Sequence, residues 1–142
     1  MSDADLALSC TRGAEALVDG LRRDSGITAL DFSIASAEKV DNLIDTLLSA
    51  DPIPEQMQLL IGLYVGEILV RNLGGQWVPN AQFMQPAVKL PTGFAFPIEK
   101  VKTRIAKGPG DSVETFVSQM AIGPPTTKDD AARRGWRLRR RP

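Results

Sequence analysis

The sequence predicts an α+β domain with three longer helices, a small antiparallel sheet of two or three short strands, and two short closing helices. Three observations carry that prediction. Apolar residues recur at three- and four-residue spacing over residues 6–21, 40–48 and 57–70, the period of one helix face. Between Gln76 and Pro97 that period gives way to short apolar runs interrupted by Pro79, Pro86, Pro91 and Pro97. Proline cannot donate to a strand ladder, so only brief strands fit there. Beyond Pro97 two shorter helical patterns return. The 142 residues, 43% hydrophobic and 24% charged, suit one ordinary globular domain, read here as residues 1–123 followed by a basic, flexible C-terminal tail at 124–142.

The first helix carries Leu6, Cys10, Ala14, Leu17 and Leu21 on its apolar stripe, widened by Ala7 and Val18. Ser2 or Asp3 caps its start, because a short polar side chain accepts from the free amides of the first turn. Arg22 and Arg23 suit its negative end, and Gly26 stops it. Ile27 to Ile34 reads as a brief strand or an extended lead-in. Ser36 then caps the second helix, with Val40, Leu43, Ile44, Leu47 and Leu48 inward and Glu38, Asp41, Asn42 and Asp45 in water. Asp51-Pro52 ends it.

Pro54 opens the third helix at a position where a missing amide proton costs nothing. Met57, Leu60, Ile61, Tyr64, Val65, Ile68 and Leu69 form so broad a stripe that this helix belongs in the middle of the fold. Gly62 and Gly66 lie four apart, and each weakens the helix by up to about 1 kcal/mol relative to Ala. Close approach by another element is the expected compensation. Gly74-Gly75 terminates the helix. Leu90-Pro91-Thr92-Gly93-Phe94 reads as a hairpin with a three-residue loop. Pro97 starts the fourth helix, with Ile98, Val101 and Ile105 inward and Lys100, Lys102, Arg104 and Lys107 on a solvated face. After Gly108-Pro109-Gly110, Asp111 or Ser112 caps the last helix, and Asp111 and Glu114 have capping-box spacing.

Composition narrows the chemistry. The chain has no histidine and one cysteine, Cys10. The commonest general base is therefore missing, and neither an intramolecular disulfide nor a cysteine-based zinc site is expected. No cofactor or metal is expected, and no catalytic residue is assigned. The Gly108–Asp111 turn lacks the spacing and the terminal Lys-Ser/Thr of a phosphate loop. Residues 1–8 carry acids where a secretory signal carries bases. The most apolar stretch, Leu59 to Val70, falls short of the roughly 18 residues needed to span a bilayer. A cytoplasmic protein without a membrane partner is the expectation.

The net charge is zero but unevenly spread. Residues 1–55 hold 11 acids and 4 bases, residues 56–127 hold 4 and 6, and residues 128–142 hold 2 and 7. An acidic first half of this kind favours steering toward a basic protein surface. The tail residues Arg133, Arg134, Trp136, Arg137, Arg139, Arg140 and Arg141 have the chemistry of a nucleic-acid or anion-binding arm, guanidinium on phosphate and indole on a base. A solvated tail and one folded back on the acidic half are the other readings.

Glu67, Arg71 and Trp77 form the candidate partner-binding group. Glu67 lies in an apolar helix, where burial would make it an acid or base. Arg71, four residues on, makes it a structural ion pair instead. Trp77 is either an exposed anchor or the seal of a core edge.

Three passages resemble a known group. They are Leu30-Asp31-Phe32-Ser33 with Ser36 and Val40 to Asp45; Gly62 to Glu67 running to Gly74-Gly75-Gln76-Trp77; and Pro97 to Val101 leading to Gly108 and Asp111-Ser112-Val113. Together they resemble a family of small uncharacterised bacterial proteins with a Tyr-x-Gly-Glu…Gly-x-x-Trp core, over about residues 27–120. The resemblance implies a compact α+β domain and no activity, cofactor or catalytic residue. Small domains of this sort also occur among immunity proteins for bacterial toxins. The expected function is a non-catalytic protein-interaction domain, in one form a toxin-neutralising one. The alternatives are a nucleic-acid accessory acting through the tail and an enzyme using Glu67. The oligomeric state is left open.

Overall fold

The computed structural model describes residues 2–82 and 84–122. The fold is α+β: α1 (Asp3–Ser25), a 3-10 turn (Ile34–Ser36), α2 (Ala37–Ala50), α3 (Glu55–Leu73), β1 (Gln76–Val78), β2 (Ala87–Leu90), β3 (Gly93–Ala95), α4 (Pro97–Lys107), a second 3-10 turn (Pro109–Asp111) and α5 (Val113–Ile122). The three strands form one antiparallel sheet in the order β1-β2-β3. No helix among the described residues is long and apolar enough to cross a membrane.

α3 runs through the centre. Every residue from Ile61 to Leu69 is buried, whichever way it points. α1 and α4 pack along it, and the sheet closes one side. Trp77, Val88 and Ala95 stand opposite one another in register and turn inward onto α3. The expected close approach falls on the two helix glycines. A methyl added to Gly62 would lie 2.7 Å from the Ile98 Cα, and one added to Gly66 would lie 2.1 Å from the Trp77 ring. Neither neighbour is a flexible chain end. Gly66→Ala is therefore expected to lower stability by about 2 kcal/mol, because overpacking outweighs the gain in helix propensity. Gly20→Ala, whose methyl would meet only the end of Arg23 at 3.8 Å, is expected to raise stability by up to about 1 kcal/mol. Urea unfolding of the two variants checks both signs.

The helix ends follow local chemistry in α1 and α3. Ser2 and Asp5 form a reciprocal capping box, and Gly26 and Gly74 close the two helices in the left-handed conformation. Elsewhere the tertiary structure changes the expected assignments. Ser36 makes no side-chain cap to α2; Ser33 caps the preceding turn, while the Ser36 hydroxyl is buried against Tyr64. Residues 27–33 form no strand. Phe32 adopts φ 64°, at a cost of about 1–3 kcal/mol for a residue with a Cβ. It is held there from α3: its amide donates to the Tyr64 hydroxyl (2.9 Å), its carbonyl accepts from Asn72 Nδ2 (2.7 Å), and its ring lies 4.8 Å from that of Tyr64. Leu48 is 39% exposed rather than inward. Leu90 pairs with Gly93, so the hairpin loop is the two residues Pro91-Thr92 and not three.

Candidate functional site

Glu67 sits one residue past the glycine that admits Trp77, and only 2% of its side chain is exposed. Its Oε2 accepts from Thr11 Oγ1 and from Trp77 Nε1, both at 2.9 Å, and its Oε1 accepts from Arg71 Nε at 2.8 Å. Arg71 also donates to Glu15 Oε2 at 3.2 Å and lies 3.8 Å over the Phe32 ring. One carboxylate thus ties α1, α3 and β1 together, and its arginine adds the segment before α2.

The structure brings the three candidate partner-binding residues together, but not as a surface. Trp77 is 1% exposed, so the indole seals the core, and Glu67 has no open side. Only Arg71 reaches solvent, already holding two carboxylates. Glu67 and Trp77 belong to an internal joint, and Arg71 is its solvent-facing member. The Tyr64 hydroxyl serves Phe32 and Ser36. Burial pushes the phenol pKa up, against the opposing effect of those two hydrogen bonds. Cys10, packed near this joint, is pushed up to about 11 by burial and secondarily by the Glu67 charge. Its thiol stays protonated at neutral pH, as suits a core residue.

A second polar junction joins α2, α4 and α5. Arg104, expected on a wet basic face, is 1% exposed. Its Nε donates to Asp41 Oδ1 (2.9 Å) and its Nη2 to Asp45 Oδ1 (2.8 Å). Burial opposes the guanidinium charge, and the hydrogen bonds to Asp45 and Asp41 outweigh that, so its pKa is raised. Asp41 does more: Oδ1 accepts the Val113 amide and Oδ2 the Glu114 amide, each at 2.9 Å. A carboxylate from α2 therefore caps α5, with Ser112 accepting from the Thr115 amide; the predicted Asp111–Glu114 box does not form. Asp41, expected in water, is largely covered for the same reason, while Asp45 stays 56% exposed. Lys100 meets Asp111 (3.9 Å) and Lys102 meets Glu55 (3.6 Å), so most of that basic group is spent internally. So is part of the acidic excess: Glu15, Asp41, Asp45 and Glu55 all face bases from the second half. The charge asymmetry that suggested a basic partner acts partly as adhesive within the molecule.

The outer face of the sheet differs in character. Gln76, Lys89 and Phe94 stand in one exposed row across the three strands. Beside them Val78, Ala87, Phe94 and Phe96 line a cleft of about 300 Å³ whose far wall is Pro79 to Gln82. That wall is shaped by local bonds: Asn80 Oδ1 accepts from the Gln82 amide (2.9 Å), and the Asn80 carbonyl accepts from the Gln85 amide (3.3 Å). Phe94 is 59% and Met84 85% exposed. Sequence reasoning passed over this face, yet a signal was present. From Asn72 to Ile98 the chain carries one charged side chain, Lys89, although charged residues make up 24% of the whole. Charge depletion together with an exposed aromatic side chain is a compositional mark of an interface core.

Among family models, curated proteins and solved structures, none matches this chain. The functional reading therefore rests on geometry. The arginine group, Arg133, Arg134, Trp136, Arg137, Arg139, Arg140 and Arg141, lies outside the described residues. Among the described residues no three of His, Cys, Asp and Glu gather as metal ligands.

Proposed function

We propose that this domain is a non-catalytic protein-interaction module. The observation that carries the reading is the outer sheet face: an exposed phenylalanine, Phe94, beside a cleft, in a stretch of sequence nearly free of charge. The two buried charge centres support the same reading from the other side. Glu67 has three donors on its two oxygens and Arg104 two carboxylates, so both act as joints between elements. A toxin-neutralising role is one form of this function, and the cytoplasm is its expected setting.

The test is capture from lysate of the source cell with full-length protein and with a form lacking residues 131–142, each with and without nuclease. The captured protein is then purified and its complex measured by light scattering and calorimetry. The expected result is a defined stoichiometric complex that survives nuclease treatment. If only nucleic acid is recovered, and only when residues 131–142 are present, the module reading fails and the arginine-rich segment becomes the working part.

A further inference from the structure

We propose that the outer sheet face binds an extended segment of another protein, one that brings an apolar side chain to the cleft and a carboxylate to Lys89. This rests on the interaction-module reading and adds the place and chemistry of the contact. The cleft takes the apolar group. Its floor is Val78, Ala87, Phe94 and Phe96, and about 300 Å³ is the low end of binding pockets, enough for a side chain or two rather than a folded surface.

Lys89 sets the charge of the partner. It lies directly opposite Phe94 and two residues from Ala87 on the same face, so it stands at the rim of the cleft. It is exposed and has no ion-pair partner among the described residues. Covering an unpaired cation with an apolar partner would remove it from water without compensation, which is costly. A carboxylate at that point removes the cost.

The same lysine argues against the other occupants. A symmetric contact with a second copy would set this same face against itself, and the stretch from Asn72 to Ile98 offers Lys89 no carboxylate. The segment 133–141 carries six arginines and would meet Lys89 with like charge. Nucleic acid would need several cations in line with its phosphates, and from Asn72 to Ile98 there is one. An extended segment suits the geometry because β3 is an outer strand of the sheet. A strand laid along it presents every second side chain on the face that carries Phe94, where one can turn into the cleft and another can meet the long side chain of Lys89 one strand further in.

The test is selection of phage-displayed random 12-residue peptides on immobilised full-length protein. The enriched sequences are expected to share an aliphatic or aromatic residue with Asp or Glu one to three positions away. The leading peptide, synthesised with a fluorophore, should bind at least tenfold more weakly to Lys89→Glu and to Phe94→Ser, with urea midpoints unchanged because both side chains are exposed. Exchanging the peptide's acid for lysine should restore binding to Lys89→Glu. The proposal is overturned by no enrichment over a mock selection, by enriched peptides without acids, or by binding to both variants as tight as to the unsubstituted protein. If both variants capture the lysate partner as well as the unsubstituted protein does, this surface is the wrong one and the module reading stands. If neither partner nor peptide is found, both fall.

Discussion

Glu67→Gln is expected to lower the unfolding free energy by about 3 kcal/mol, the scale for breaking a buried, hydrogen-bonded charge pair. The carboxylate now accepts from Thr11, Trp77 and Arg71. Glutamine offers one acceptor oxygen and puts an amide where a second acceptor stood. Turned either way, it points that amide at a donor: Arg71, or Thr11 and Trp77. A buried donor left without a partner costs about 1–3 kcal/mol, and the Trp77 indole is fully buried. Arg71 is less affected, since it is 37% exposed and keeps Glu15. Urea unfolding gives the magnitude, and Trp77 fluorescence should shift in the native baseline. A stable Glu67→Gln protein would mean that the joint is not what holds β1 to α3, and the enzyme reading of Glu67 would regain force.

Asp41→Asn is expected to cost more, about 4 kcal/mol, because one carboxylate serves two structures. It balances the buried Arg104 and it accepts the first two amides of α5. Asparagine retains one acceptor and removes the charge, leaving Arg104 with Asp45 alone. Asp45 is 56% exposed, so Asp45→Asn should cost about 1 kcal/mol or less, as for a mostly solvated ion pair. Arg104→Met should cost less than Asp41→Asn, since it deletes the buried charge rather than stranding it, and Asp41 keeps its hold on α5. The checked quantity is the order Asp41→Asn, Arg104→Met, Asp45→Asn in unfolding free energy. Equal losses at Asp41 and Arg104 would mean that the ion pair, and not the α5 cap, carries the effect.

These two junctions also show where reading the chain fell short. Both were legible in part. Glu67 and Arg71 are four apart on one helix, so a local rule finds them. Thr11 lies 56 positions from Glu67, and no local spacing relates the two. Asp41 and Asp45 share a helical face by periodicity, but that face looks wet until Arg104, 63 positions beyond Asp41, comes down on it. The same residues that read as a solvated acidic face and a solvated basic face neutralise each other. Trp77 was read both ways because nothing in its neighbours says whether the sheet turns that residue toward α3 or toward water.

Periods, breakers and caps act over a few residues, and so five helices, a small proline-limited sheet, the apolar centre of α3 and the close approach at Gly62 and Gly66 were determined by the chain alone. Gly66 is the clearest case: a helix interior that gives up its Cβ states that something large must lie against it. What lies there, the Trp77 ring, was settled only when strand pairing set which residues of β1, β2 and β3 face inward. The same pairing turned Gln76, Lys89 and Phe94 outward and made a surface of a segment whose lack of charge had no place until then. Side-chain period specifies which residues travel together, whereas the sheet's position against α3 specifies which set meets water.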